Sequence, residues 1–595
     1  MRIGGAALNQ TPLDWQGNAL RIKSAIEAAR RNDIELLCLS ELCITGYSCE
    51  DMFLHPWVAE KSLEMLADLL PTTEGIGVAI GLPLHVNGQV YNALAFVNSR
   101  KIEGFYIKQH LPKEGIHYEY RWFESWPTRS IKEIEIDGIT YPIGHITCEF
   151  KGKTIGFEIC EDAWVEDRPA CQIAEQADVI MNISASHFAF GKVKKRQEII
   201  RKSSADFDVV YVYANQLGNE AGRAIYDGDV IVAQAGELLA TARRLSFADY
   251  SLQSVEIDFK DSSKSERNLF DQITTKEEEF PQAVGLALFD YLRKSGSDGF
   301  VLSLSGGADS STIAVLIAEM VKRGINEMGG VPFVLKLGRN DNSISELMKN
   351  LLTTAYQGTV NSSDQTLESA RELASSIGAT FHHWEIDEEI AGYQSKIENA
   401  LDRKLNWSED DITLQNIQAR ARSPIIWMLA NHKNALLLST SNRSEASVGY
   451  ATMDGDTSGS ISPIGGADKT FIQEWLMYAE KQLGYKALSY VNSLAPTAEL
   501  RPQDQTQTDE DDLMPYEVLQ AIERLFVKEK LSGQQIFDRL EGDYDQGDLK
   551  TWIDKYFRLW KRNQWKRERY APSFHLDEYN LDPRSGFRYP ILSGD

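Results

Sequence analysis

The stretch LSLSGGADSSTIAV, residues 302–315, decides how the second half of this chain is read. Apolar residues run into Ser305, Gly306 and Gly307, then an acid, then hydroxyls, then a helix-like apolar run. Strand, glycine pair and helix bring backbone N–H groups and a helix N-terminus to one point, the geometry that holds an anion. Glycine admits positive φ and lets the main chain come close to phosphate oxygens. Ser305, Ser310 and Ser311 add hydroxyl donors. The loop is not a Walker A motif, because no GK[ST] follows its glycines. The GKT at residues 152–154 has Thr147 where that motif needs glycine. Asp309 is the unusual member. An acid beside phosphate repels it unless a cation lies between, which points to Mg²⁺. The same residues also fit a plain helix N-cap after a tight turn.

Outward from the loop, residues 281–595 alternate helix-like and strand-like runs. PQAVGLALFDYLRKSG reads as a helix starting at Pro281, and FVLSLS as a strand. PFVLKL reads as a strand, 365–377 as a helix, FHHWEID as a strand, 411–432 as a long helix and ALLLST as a strand. This is an α/β unit of parallel character. Residues 1–258 hold many short β-like runs with helical runs between them, a second α/β domain with a buried sheet. The polar segment 259–280 reads as a linker.

Composition bounds the function. Of 595 residues, 62 are Lys or Arg and 87 Asp or Glu, a formal net charge of −25. That argues against wrapping nucleic acid or lying on anionic lipid. Two basic clusters, KVKKRQEIIRK (192–202) and WKRNQWKRER (560–569), read as a solvated helix face and a packing segment. The start MRIGGAALNQ lacks a basic and then apolar leader. No apolar run reaches the length of a membrane span. The six cysteines show no paired CxxC spacing, so reduced thiols in a cytoplasmic setting are expected. The ten histidines form no HExxH, so no zinc hydrolase is suggested.

The loop SGGADS resembles that of the ATP pyrophosphatase family, whose members cleave ATP to AMP and pyrophosphate while adenylating a substrate. LQNIQARARSPIIWMLANHKNALLLSTSNRSEASVGY, SPIGGADKTFIQEWL and APTAELRPQDQTQTDEDDLMPYEVL are similar to its NAD synthetase branch, above all the long glutamine-dependent members. The resemblance covers nearly all of 281–595. It implies a doubly wound parallel sheet, ATP and deamido-NAD⁺ as substrates, and Mg²⁺ held by Asp309 and Glu445. It further implies that Ser305, Gly306, Gly307 and Ser310 cradle the departing pyrophosphate, and that Thr440, Lys469 and Thr497 contact ATP. Asn416 and Arg420, four apart on one helix face, would bind deamido-NAD⁺. Where the family often has Lys after the GY and Asp before the PIG, this chain has Met453 and Ser460, with Asp454 and Asp456 nearby.

The first domain offers a nitrogen donor. Glu41 in SELCITGY, Lys108 in GFYIKQHLP and Cys160 in TIGFEICEDAW each end a strand-like run. A thiol attacks an amide with a base at hand, a Glu can shuttle its proton, and a Lys can hold the oxyanion. Taken singly, each also reads as an ordinary buried thiol, cap or edge residue. Together they resemble the Glu-Lys-Cys site of the nitrilase family, which implies an α-β-β-α sandwich that hydrolyses glutamine. The resemblance adds Glu119 in KEGIHYEYRWF as a supporting acid. It nominates Glu161, Ser186 and Lys192 for the glutamine head group. Many members have Tyr two residues after the proline, where this chain has Glu114. The two resemblances together imply ammonia passed within the protein, and a homo-oligomer.

Overall fold

The computed structural model describes residues 1–113, 115–270, 275–494, 500–502 and 508–593. The chain divides into two compact units, Met1–Glu279 and Phe280–Asp595.

In the first unit, two sheets pack face to face, with helices outside each. Among the described residues one sheet has eight strands and the other seven. The inner strand Arg2–Leu8 lies against Val210–Ala214 and Val230–Gln234 of the opposite sheet. Helices Trp15–Arg31 and Pro56–Leu69 cover the eight-stranded sheet, and Ala170–Ile173 and Lys192–Asp206 cover the other. The central strands are buried on both faces, so they read as near-continuous apolar runs. Val179–Ile183 and Val210–Ala214 are buried throughout. The result is an α-β-β-α sandwich.

In the second unit, among the described residues, four strands form a wholly parallel sheet. Their order in space is Thr380–Glu385, Leu352–Gly358, Gly299–Ser303, Ala435–Leu438. The chain therefore winds away in both directions from its first strand. The crevice at such a reversal, outside the carboxyl ends of the strands, is where open α/β sheets bind ligands. Helix Trp407–His432 seats Ile426 and Ala430 on Val301, Ala355 and Leu437. A helical C-terminal region follows, with its own core around Leu519, Ile522, Tyr556 and Trp560.

Three sequence expectations need correction. PFVLKL is not a strand: its first five residues lie in the helix Gly330–Lys336, and Leu337 caps it. A short unbroken apolar run does not distinguish the two. The strand beside the glycine-loop strand is Leu352–Gly358, buried along its length although it carries Thr353, Thr354 and Gln357. The helix expected at Pro281 starts at Lys276, with Pro281 inside it and Glu277, Glu278 and Glu279 in its first turn. Acids there suit the positive end of the helix dipole. Segment 259–280 also carries the strand Asn268–Leu269, paired in parallel with Glu237–Thr241. All six cysteines are free thiols. Among the described residues no helix is long and apolar enough to cross a membrane.

The first basic cluster is not wholly solvated, and the second packs as its reading expected. Arg196 is buried and pairs with Asp227 and Asp229 at 2.8 and 3.2 Å. In the C-terminal cluster, Asn563 and Arg567 donate to the carbonyls of Val448 and Ser447 at 2.7 and 2.6 Å. Lys566 donates to those of Gly449 and Ala451 at 2.7 and 2.8 Å. Together they satisfy the carboxyl end of helix Arg443–Val448, which carries Glu445.

Candidate functional site

In the first unit, Glu41, Lys108 and Glu119 meet in the interior. The Lys108 ammonium donates to Glu41 Oε1 and to Glu119 Oε1, both at 2.7 Å. All three side chains are essentially inaccessible. Asn92 Nδ2 also donates to Glu41 Oε1 at 2.7 Å, the Ala185 amide to Glu41 Oε2 at 2.7 Å, and Tyr47 Oη to Glu119 Oε1 at 2.6 Å. Burial pushes Glu41 up to about 7, with Lys108 pulling it down and Glu119 pushing it up. That value suits a carboxyl that must both take and return a proton near neutrality.

Cys160 follows the strand Lys153–Ile159. Its φ is 46°, a strained value for a residue with a side chain. The chain turns sharply there into the short helix Cys160–Ala163. Burial raises the thiol, as does Glu41 beside it, while Lys108 lowers it. Ser186 is held by Asn215, which accepts from its amide at 2.8 Å and donates to its carbonyl at 2.9 Å. Lys192 opens helix Lys192–Asp206 after Gly191 in a left-handed conformation. Burial lowers the Lys192 pKa to about 8, helped by Arg196 and opposed by Cys160, Asp227 and Glu161. The charges of Glu161 and Glu119 also bear on Cys160.

In the second unit, a cavity of about 1140 Å³ opens at the reversal point of the parallel sheet. Ser305, Gly307, Asp309 and Ser310 line it from the glycine loop, and Thr440 and Glu445 from the next strand end. Gly306 has φ 81°, and a Cβ there would sit 2.2 Å from the Thr366 carbonyl oxygen. Gly307 caps helix Ala308–Met328. The Ser305 and Ser310 hydroxyls lie 3.2 Å apart and accept from the Gly307 and Ser305 amides. These contacts of 3.3 to 3.4 Å are long, so the amides can be surrendered to a ligand.

Lys469 begins helix Lys469–Tyr478, capped by Asp468. Its ammonium bonds Asp309 and reaches Glu445 Oε1 at 3.4 Å. Asn442 joins the same group, donating to Asp309 Oδ1 at 3.0 Å while accepting from the Glu445 amide at 2.9 Å. Burial and the adjacent Asp309 push Glu445 up to about 8, against the pull of Lys469. Among the described residues no cluster of three or more His, Cys, Asp or Glu side chains could hold a metal. Mg²⁺ needs one or two carboxylates when phosphate oxygens and water complete its shell. The crowded hard-oxygen pair Asp309 and Glu445 fits that requirement.

Asn416 lines the cavity and accepts from Thr452 Oγ1 at 2.7 Å. Arg420, one turn on, is exposed, is not among the lining residues, and donates to the Met453 carbonyl at 3.0 Å. Met453 is buried, whereas Asp456 lines the cavity. Thr497 and Glu114 lie outside the described residues.

A family model described as carbon-nitrogen hydrolase matches residues 2–263, and one described as NAD synthase matches 282–569. A solved glutamine-dependent NAD(+) synthetase from Cytophaga hutchinsonii is 48% identical, with a TM-score of 0.90 over 100% of this chain and 98% of that one. The chain belongs to the glutamine-dependent NAD(+) synthetase family. Curated NAD(+) synthetases from Oryza sativa and Homo sapiens are 28% and 27% identical, covering 98% and 99% of this chain and 90% and 95% of theirs. A solved relative from Acinetobacter baumannii, in complex with ADP, shares the fold at 24% identity and a TM-score of 0.70, covering 99% of this chain and 98% of its own.

Within this NAD(+) synthetase fold, the sequence reading passed over several site residues. Tyr47 stood inside the quoted SELCITGY, but its hydroxyl bond to Glu119 is a long-range contact that no local pattern announces. Asn92 sits in an ordinary apolar strand. Asn442 follows the strand ALLLST three residues before Glu445, a capping position whose residue type was the available signal.

Proposed function

We propose that this protein makes NAD⁺ from deamido-NAD⁺, ATP and glutamine, releasing AMP, pyrophosphate and glutamate. One observation supports the reading above others: the glycine loop, two carboxylates and a lysine converge on a cavity large enough for more than one nucleotide. Drug-sized ligands occupy pockets of roughly 300–1,000 Å³.

In the second unit, a nicotinate carboxylate oxygen attacks the α-phosphorus of ATP, and the bond to pyrophosphate breaks. Ser305, Gly307 and Ser310 hold the leaving diphosphate by amides and hydroxyls, as Gly306 turns the chain. Lys469 offsets the charge developing between the reactants, Thr440 contacts ATP, and Asn416 orients the dinucleotide. Asp309 and Glu445 would hold Mg²⁺, which when bound neutralises phosphate charge. Ammonia then adds to the acyl carbon of the adenylate, AMP leaves, and the amide of NAD⁺ remains. Activation is needed because a carboxylate oxygen is a poor leaving group and AMP a good one.

In the first unit, Glu41 takes the Cys160 proton as sulfur attacks the glutamine amide carbon. Lys108 stabilises the oxyanion, and Glu41 returns the proton to departing ammonia. Water, deprotonated by Glu41, then frees glutamate from the thioester. Glu119 fixes the Lys108 ammonium. Glu161, Ser186 and Lys192 receive the charged head group of glutamine.

The test is one incubation with glutamine, ATP, Mg²⁺ and deamido-NAD⁺. NAD⁺, AMP, pyrophosphate and glutamate are expected in a fixed ratio. A different amide product, or no turnover, would overturn the assignment.

A further inference from the structure

Asp162 lies two residues past Cys160 and is fully buried. Its carboxylate accepts four hydrogen bonds. Oδ1 takes the Gln109 amide at 3.1 Å and the His110 amide at 2.8 Å; Oδ2 takes the Tyr106 hydroxyl at 3.0 Å and the Ile159 amide at 3.1 Å. The Ile159 bond is a local cap of the turn at Cys160. The other three come from a segment 52 to 56 residues earlier that contains Lys108.

The two segments belong to different sheets. Strand Lys101–Ile107, which delivers Lys108, is part of the eight-stranded sheet; strand Lys153–Ile159, which delivers Cys160, is part of the seven-stranded one. No ladder bond joins them. Lys108 itself is bound to its own sheet through Asn92, whose carbonyl accepts from its amide at 2.9 Å. Apart from the Glu41 amide, which donates across the two sheets to the Ser184 carbonyl at 3.4 Å, side-chain contacts link the two sheets at the site, and the Asp162 carboxylate spans the gap between the Lys108 and Cys160 segments.

We propose that Asp162 is a positioning residue for glutamine hydrolysis, fixing Lys108 relative to Cys160 across the two sheets. The inference rests on the glutaminase reading of the first unit. Every group bonded to Asp162 is a donor. Asp162→Asn keeps the shape but turns one oxygen into an NH₂ that faces a donor, so at least one bridge opens. Burial holds the Asp162 pKa up to about 7, against the amides of His110 and Ile159 and the charge of Lys108. The His110 and Ile159 amides thus favour the ionised form that accepts all four bonds.

The full-length wild type and Asp162→Asn are compared in four assays: glutamine hydrolysis, ammonium-driven synthesis, melting, and the pH dependence of Cys160 alkylation by iodoacetamide. For Asp162→Asn, kcat for glutamine is expected to fall about a hundredfold, the scale of a 1 Å misplacement. KM should stay nearly unchanged, and ammonium-driven synthesis should persist. The alkylation midpoint should move to higher pH, because the thiolate loses the nearby Lys108 charge. An unchanged kcat, or a lower kcat with an unmoved midpoint, overturns the proposal. If Asp162→Asn does not fold, Tyr106→Phe removes one of the four donors and should lower kcat at constant KM. An unchanged kcat in that variant overturns the proposal equally. A wild type that hydrolyses no glutamine sinks the glutaminase reading itself, an outcome distinct from any of these.

Discussion

Lys108 stands between two buried carboxylates, and its loss would leave both without their counter-charge. Breaking a buried ion pair by removing one partner costs about 3–5 kcal/mol. Lys108→Met should therefore lower the melting temperature, and by less at pH 5 than at pH 8, because protonating Glu41, whose pKa burial raises to about 7, relieves part of the uncompensated charge. Thermal melts at the two pH values check this. Cys160→Ala should abolish glutamine-driven synthesis and spare ammonium-driven synthesis, read by NAD⁺ formation with each nitrogen source. Glu41 has a pKa raised to about 7. As the base it must be ionised before attack, so kcat/KM for glutamine should fall as pH drops through that value. Glu41→Gln should remove the limb together with the activity.

At the scale of elements, the turn at Gly306 is the most constrained position in the second site. An L side chain in the left-handed region costs about 1–3 kcal/mol, and here a Cβ would also meet the Thr366 carbonyl. Gly306→Ala should lower the melting temperature and raise the KM for ATP, measured by pyrophosphate release. This loop was legible in the sequence because strand, glycines and helix are contiguous. The strand Leu352–Gly358 was not, because its threonines and glutamine break the apolar signature of a buried parallel strand. Gly330–Lys336 misled in the opposite sense, as an apolar run of strand length that folds as a helix. The residues around Glu41 were legible one by one at strand ends. Their mutual bonds join positions 51 to 144 residues apart: strand pairing in the eight-stranded sheet brings Asn92 and Lys108 to Glu41, and the packing of the second sheet brings Ala185. The basic run 192–202 misled as well, because charge alone does not tell a solvated face from one that buries Arg196 against carboxylates, whereas the run 560–569 packs as expected.

Across the whole molecule, the two units are expected to respond to pH by different rules. Glutamine-driven synthesis should level off above neutrality, once Glu41 is ionised. Ammonium-driven synthesis should keep climbing as more ammonium loses its proton and becomes nucleophilic. Parallel rate profiles on one preparation test this. Asp309→Asn should depress both by about a hundredfold or more, the scale of losing a group that stabilises transition-state charge.

Lys469 gives the two acids of the cavity a counter-ion within the chain. Its side chain bonds Asp309 and reaches Glu445, so those acids do not depend on a bound divalent ion for charge compensation. Adding a chelator should stop turnover yet leave the melting curve where it was. If Asp309 and Glu445 hold Mg²⁺ as proposed, the protein would then ride out swings in free magnesium folded but idle, ready again when the ion returns.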